Sequence, residues 1–256
     1  MKNISTQFKF KSFLLLVAFS SLQVNAIEKT FEEKVQEYRN RQDTISPAEA
    51  LKFLKNGNER FALGKSIHGG YLTDSTERRQ ISALSQRPVA TVLSCIDSRT
   101  TPELVFDTSV GDLFTARVGA NTLNKEILGS LEITVESGSK AIVVLGHTDC
   151  GGIKAACNNL ELGHFTSIVE KIRPVISAVN IFLDQNQKLS TEIGERLTSN
   201  KKYIGYLGHA NAENTVKQIL EQSSIIDSKV KSGEIVLVPA VYNVDSGIVN
   251  FSGLTQ

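Results

Sequence analysis

Two short stretches carry most of the side chains that could do chemistry. Cys95-Ile96-Asp97-Ser98-Arg99 closes the apolar run 89–93, and His147-Thr148-Asp149-Cys150 closes the run 141–146. Runs of this kind, dense in β-branched residues, predict strands buried on both faces of a parallel sheet. In open α/β sheets ligands bind beyond the carboxyl ends of the strands. Two thiols, an imidazole and a carboxylate are thus delivered to one rim. Cys, Cys and His suit a zinc ion, and a Cys2His set with one open position is a known catalytic arrangement. A single cysteine ending a buried strand is ordinarily a small apolar residue, so it is the two motifs together that point to a metal. Asp97 and Arg99 are charges at a strand end, where burial without a partner is costly.

The elements that must position these motifs alternate along the chain. Phe31, Val35 and Tyr38 at helical spacing predict an amphipathic helix over 28–40. The capping box Ser46-Pro47-Ala48-Glu49 opens a helix to about residue 62, and Asp74-Ser75-Thr76-Glu77 begins a third. After the first core strand come a helical turn at 102–106 and a second strand at 112–118. At Gly119-Ala120-Asn121 the backbone can approach the site closely. A helix over 123–136 ends at Gly138. The third strand delivers His147, and Cys150 opens the next helix. Further helices are predicted over 165–183, with a kink at Pro174, and over 211–231. The stretch 184–200 is polar without clear periodicity. A fourth strand at 235–238, a turn at 243–247 and a last strand at 248–251 complete the chain. The expected fold class is α/β: a single domain with four parallel strands, a C-terminal antiparallel edge strand, and helices on both faces.

The chain has 256 residues, 41% of them apolar, enough for one sizeable core. Lys2, Lys9 and Lys11, the apolar run 13–19 and the small-residue site Val24-Asn25-Ala26 predict a cleavable export signal over 1–26. The apolar run is too short to span a bilayer. The expected mature domain is 27–256, periplasmic and free of the membrane after cleavage. It keeps 25 basic against 27 acidic residues, and no basic stripe marks a nucleic-acid surface. Three cysteines are an odd count for an exported protein. If Cys95 and Cys150 hold a metal, Cys157 remains, two turns along the helix from Cys150, and is expected in the core rather than as a third sulfur ligand. His68, in the loop 65–73, is expected to be solvated.

The motif C-x-D-S-R (Cys95 to Arg99), the motif H-x-x-C (His147 to Cys150) and the pair Gly151-Gly152 resemble those of the β-class carbonic anhydrases. The resemblance runs from about residue 88 to 157 and is weaker beyond, where 242–251 is similar to the family's final hairpin. It implies reversible hydration of carbon dioxide to bicarbonate and a proton, with one Zn2+ per chain on Cys95, His147 and Cys150 and the zinc hydroxide oriented by the Asp97–Arg99 pair. Two thiolates weaken the acidifying effect of zinc, so donors to the sulfurs are expected, supplied by the N–H groups of Gly151 and Gly152. Asp97 has two possible states in this family: a fourth zinc ligand in a closed site, or a partner of Arg99 in an open one. Some bacterial members close when bicarbonate binds a non-catalytic pocket; the matching positions here are Val92, Ser94, Thr100 and Arg117, of which only the arginine survives, so the open state is expected. A substrate pocket of Phe114, Gly119, Gly151 and Gly152 is implied, with Ile133 where many plant members carry Tyr. Family members are homodimers or multiples of dimers, and the N-terminal helices are expected to pack on the partner. Two alternatives stand beside this function. One is a hydrolase of carbon disulfide or carbonyl sulfide on the same zinc site. The other is a non-catalytic zinc-binding or redox-sensing protein, which would need neither Asp97 nor Arg99.

Overall fold

The computed structural model describes residues 29–68 and 76–251. The expected export signal lies outside them, as do Asp74 and Ser75 of the third helix start. Thr30 and Glu33 form a reciprocal capping box, so α1 runs Phe31–Thr44, a few residues later than the apolar spacing alone suggests. Ser46 and Glu49 form the predicted box, and α2 is Pro47–Ala62. Next come α3, Thr76–Ala83, β1, Ala90–Ser94, α4, Pro102–Val105, and β2, Leu113–Arg117. They are followed by α5, Lys125–Glu136, β3, Ala141–His147, and α6, Gly151–Cys157.

The C-terminal half departs more from expectation. Helix α7 is Thr166–Gln185 with Pro174 inside it. The polar stretch after it contains α8, Gln187–Ile193, capped by the Asn186 side chain. Helix α9 is Lys201–Gln222 and starts ten residues before the predicted helix, with the Asn200 side chain accepting from Lys202 and Tyr203 N–H. Ser223 then caps a separate α10, Ser224–Ser232, where one continuous helix was expected. Strand β4, Val236–Tyr242, runs past Pro239, and β5 is Val249–Asn250.

The sheet order is β2-β1-β3-β4-β5, with the first four strands parallel and β5 antiparallel to β4, as predicted. Alternate residues of the central strands face opposite layers. Val92, Val143 and Leu145 pack with Ala50 and Leu54 of α2 and with Val105 and Phe106. Leu93, Ile142 and Val144 pack with Leu131 and Val135 of α5, Ile219 of α9 and Ile226 of α10. A third cluster, built from α6, α7 and α9, closes over Cys95 and Cys150. The inner faces of α1 and α2 are thus taken up by their own chain: Leu54 lies in the sheet core and Tyr38 against Ile81. No helix among the described residues is long and apolar enough to cross a membrane.

Candidate metal centre

Strands β1 and β3 are neighbours in register, Ser94 opposite Leu145, so the residues that follow them emerge side by side. The ligand atoms of Cys95, His147 and Cys150 all lie within 4.8 Å of one another, and all three residues are buried. His147 Nδ1 lies 2.9 Å from the carbonyl of Thr148, an acceptor, which fixes the proton on Nδ1. His147 Nε2 is buried with no hydrogen-bond partner and carries its lone pair into the cluster. A histidine oriented through one nitrogen with the other left bare is what a metal ligand requires.

The sulfurs are not left to themselves. Cys95 Sγ accepts from the backbone N–H of Ala120 at 3.2 Å and of Asp97 at 3.4 Å. Cys150 is approached by the N–H groups of Ile153 and Gly152. The amides that lower the Cys150 thiol are those of Ile153 and Gly152, whereas Gly151 was the other expected donor. Gly151 is exposed, and nothing would lie near a side chain there. The Cys150 thiol, His147 and the Asp97 N–H hold the Cys95 thiol well below its ordinary range. Cys150 is pushed the other way by its hydrogen bond to Cys95 and by burial. The two sulfurs shift in opposite directions because they face each other, and a dication bound between them would favour both thiolates. Two sulfurs and one bare imidazole nitrogen, with amide donors behind the sulfurs, fit a zinc ion.

Asp97 stands beside this cluster. Its Oδ1 accepts from the Arg99 backbone N–H at 3.0 Å and from Nε at 2.9 Å, and its Oδ2 accepts from Nη2 at 2.8 Å. Oδ2 is also 4.0 Å from His147 Nε2. Hydrogen bonding from Arg99 lowers the Asp97 carboxyl to about 2, and Asp97 in turn raises Arg99. In this structure the carboxylate is engaged by arginine through both oxygens.

The remaining predicted residues divide. Gly119 is buried beneath Ile168 and Phe165, and a Cβ on Gly152 would lie 2.9 Å from Ala120 Cβ; both border the cluster. Phe114 does not. It faces Thr91, well back along β1, and lines a separate cavity of about 230 Å3 with Leu131 and Ile133 on the α5 side of the sheet edge. Thr100 and Arg117 bind the backbone: Thr100 Oγ1 and the Arg117 guanidinium each donate to the carbonyls of both Cys95 and Asp97. His68 is not simply solvated, since its ring Nδ1 lies 2.8 Å from the Asp107 carbonyl and its backbone N–H donates to Asp107 Oδ1 at 2.8 Å. Cys157 is half-buried against the α6–α7–α9 cluster and outside the metal group; burial raises its thiol. Motif spacing did not mark Asp149 and Lys154. Asp149 accepts from Arg99 Nη1 at 3.2 Å and from Lys154 Nζ. The available signal was an acidic residue inside H-x-x-C and a base one helical turn after Cys150.

Comparison with known proteins agrees with this geometry. The family profile described as Carbonic anhydrase matches residues 90–249. Carbonic anhydrase 2 of Mycobacterium tuberculosis is 30% identical over 208 residues, covering 79% of this chain and 91% of that protein. A carbonic anhydrase of Mycolicibacterium smegmatis is 31% identical over 210 residues, 80% and 92% of the two chains. A crystal structure from a study of two tetrameric β-carbonic anhydrases of Sordaria macrospora superposes with a TM-score of 0.58 at 19% identity, covering 79% of this chain and 96% of that one. The chain belongs to the β-class carbonic anhydrase family.

Proposed function

We propose that this chain catalyses the reversible hydration of carbon dioxide to bicarbonate and a proton, with one zinc ion per chain held by Cys95, His147 and Cys150. The observation that carries the reading is the bare, buried Nε2 of His147 converging with two sulfurs beside an arginine-clamped carboxylate. When bound, zinc lowers the pKa of water to about 7 and so supplies a nucleophile at neutral pH. The protein groups then set direction. Asp97, ionised far below neutrality, can only accept hydrogen bonds. A water-derived nucleophile must therefore present its hydrogen to Asp97 and its lone pair elsewhere, toward the carbon. Arg99 keeps Asp97 from moving onto the metal. The amides of Ala120, Asp97, Gly152 and Ile153 draw charge from the sulfurs, which restores acidity to the metal.

Gly119, Gly152 and the exposed Gly151 are proposed to border the space carbon dioxide enters. Phe114 is proposed to reach a substrate only if a second subunit completes the β2 edge. Among the described residues that edge carries no strand on its outer side, and Leu104, Val110 and Ile133 are exposed around it; an apolar open edge supports a homodimer or a multiple of dimers. Export to the periplasm with cleavage after Ala26 is proposed from the N-terminal sequence. Zinc content together with stopped-flow carbon dioxide hydration by the purified 27–256 chain tests the function. One zinc per chain with turnover is expected; a metal-free or inactive chain overturns it.

A further inference from the structure

Arg99 is the pivot of the open site, yet its side chain is 45% exposed. An exposed arginine held by one carboxylate pairs weakly and has many rotamers. Here it is held from two sides. Nε and Nη2 go to Asp97. Nη1 goes to Asp149 Oδ2 at 3.2 Å, and Nη2 also reaches the Asp149 carbonyl at 3.4 Å. The two carboxylates use different donors, so Asp149 steadies the guanidinium without taking the hydrogens that Asp97 needs. Asp149 is itself fixed. Its other oxygen accepts from Lys154 on α6, and its backbone sits at φ +60°, a region that Asp and Asn tolerate and most residues avoid. Side chain and backbone are thus both constrained, at the residue between His147 and Cys150.

We infer that Asp149, anchored by Lys154, is a positioning residue that acts through Arg99 to keep the Asp97 carboxylate off the metal. The inference rests on the zinc-enzyme reading above. It sets the balance between open and closed sites within the chain, with Lys154–Asp149–Arg99–Asp97 as a line of alternating charges ending at the nucleophile's orienting group.

Two variants separate the carboxylate from the backbone. Asp149→Asn keeps the tolerated left-handed φ and loses the charge. Asp149→Gly adopts that φ more easily still and loses the whole side chain. Each is measured for zinc content, for kcat and KM, and, with cobalt(II) in place of zinc, for its visible absorption spectrum, which reports the ligand set directly. Both are expected to keep one metal per chain and to lose kcat by roughly tenfold with KM within about twofold. Both spectra should shift toward that of Arg99→Ala, and Asp149→Asn should add nothing further to the spectrum in an Arg99→Ala background. Wild-type kcat and spectrum in Asp149→Gly would mean that only the backbone matters and would overturn the inference. So would activity lost in proportion to lost metal, or a spectral shift of the same size with Arg99 absent. Failure of the underlying reading would show separately, as absence of zinc or turnover in the unaltered protein.

Discussion

The backbone N–H of Ala120 points at the sulfur of Cys95 from 3.2 Å, and Ala120 holds a φ of +52° to do it. Alanine has no polar side chain to ease that conformation, so the surrounding packing must impose it. Asn211 Nδ2 holds the Ala120 carbonyl at 2.8 Å, and Gly152 lies directly against its methyl group.

Gly152→Ala therefore tests whether this amide matters. The new Cβ would meet Ala120 Cβ at 2.9 Å, and relief requires Ala120 to move away from the sulfur. We expect a stability loss of about 1–3 kcal/mol from overpacking and zinc affinity weaker by roughly tenfold, measured by thermal unfolding and chelator competition. Gly151→Ala, facing open space, should leave stability within about 0.5 kcal/mol. Equal effects at both positions would remove the special place given to the Ala120 amide.

Cys150→Ser should strip the metal. A serine hydroxyl is a poor substitute for a thiolate, and the variant leaves Cys95 and His147 as a two-ligand set. Metal analysis of the purified variant is expected to show near-complete loss of zinc, and full retention of zinc with activity would refute the ligand assignment.

Arg99→Ala should separate binding from turnover. Without the guanidinium, Asp97 loses the partners of both its oxygens and is free to close onto the metal. Zinc should stay at one per chain while kcat/KM falls by at least about a hundredfold. A crystal structure of the unaltered enzyme near neutral pH should show Asp97 off the zinc, and bicarbonate inhibition should not be sigmoidal, because Thr100 and Arg117 are occupied with backbone carbonyls and offer bicarbonate little to select.

Asp107 should govern acid stability. It is fully buried and receives Arg60 Nε at 2.5 Å together with the N–H groups of Ile67 and His68. Burial works to raise its carboxyl, but the Arg60 and backbone hydrogen bonds outweigh it and hold the group below its usual 3.8. A carboxyl depressed in the folded state stabilises the fold above the unfolded value and stops doing so as pH falls through the folded one. Asp107→Asn is expected to cost about 2 kcal/mol near pH 7. The gap in Tm to the unaltered protein should narrow only below about pH 4. A gap that is constant down to pH 2 would show that the charge is irrelevant.

The site was legible because its donors sit at the ends of two apolar runs, where strand, turn and ligand chemistry coincide within five residues. Helix α9 was harder to see. Its first half is buried against β3 through small residues: a Cβ on Gly208 would lie 3.0 Å from the His147 carbonyl, and one on Gly146 2.7 Å from the Gly208 carbonyl. Close backbone packing at Gly208 cuts short the apolar stripe begun by Tyr203, Ile204 and Leu207, and the Asn200 cap is the other signal. Strand β4 was expected to stop before Pro239, but among the described residues β5 pairs only with Val241 and Tyr242, and a proline is tolerated where it need not donate to a neighbouring strand. Lys154 and Asp149 escaped because an ion pair across a turn leaves no periodic mark.

The pairing of β1 with β3 has a consequence for how the protein matures. Cys95 and His147 are 52 residues apart in sequence, and the chain must lay down β2 and α5 before β3 can dock beside β1. Such distant contacts carry a large closure entropy and form slowly. Until they form, Cys95 is separated from His147 and Cys150, and the full ligand set has no address. On the zinc reading proposed above, metal capture is expected to follow assembly of the central sheet rather than to guide it. Once captured, the ion favours the folded chain by mass action, in proportion to how far its concentration exceeds the dissociation constant. Loss of the ion should accordingly appear first as faster unfolding, with the refolding rate little changed.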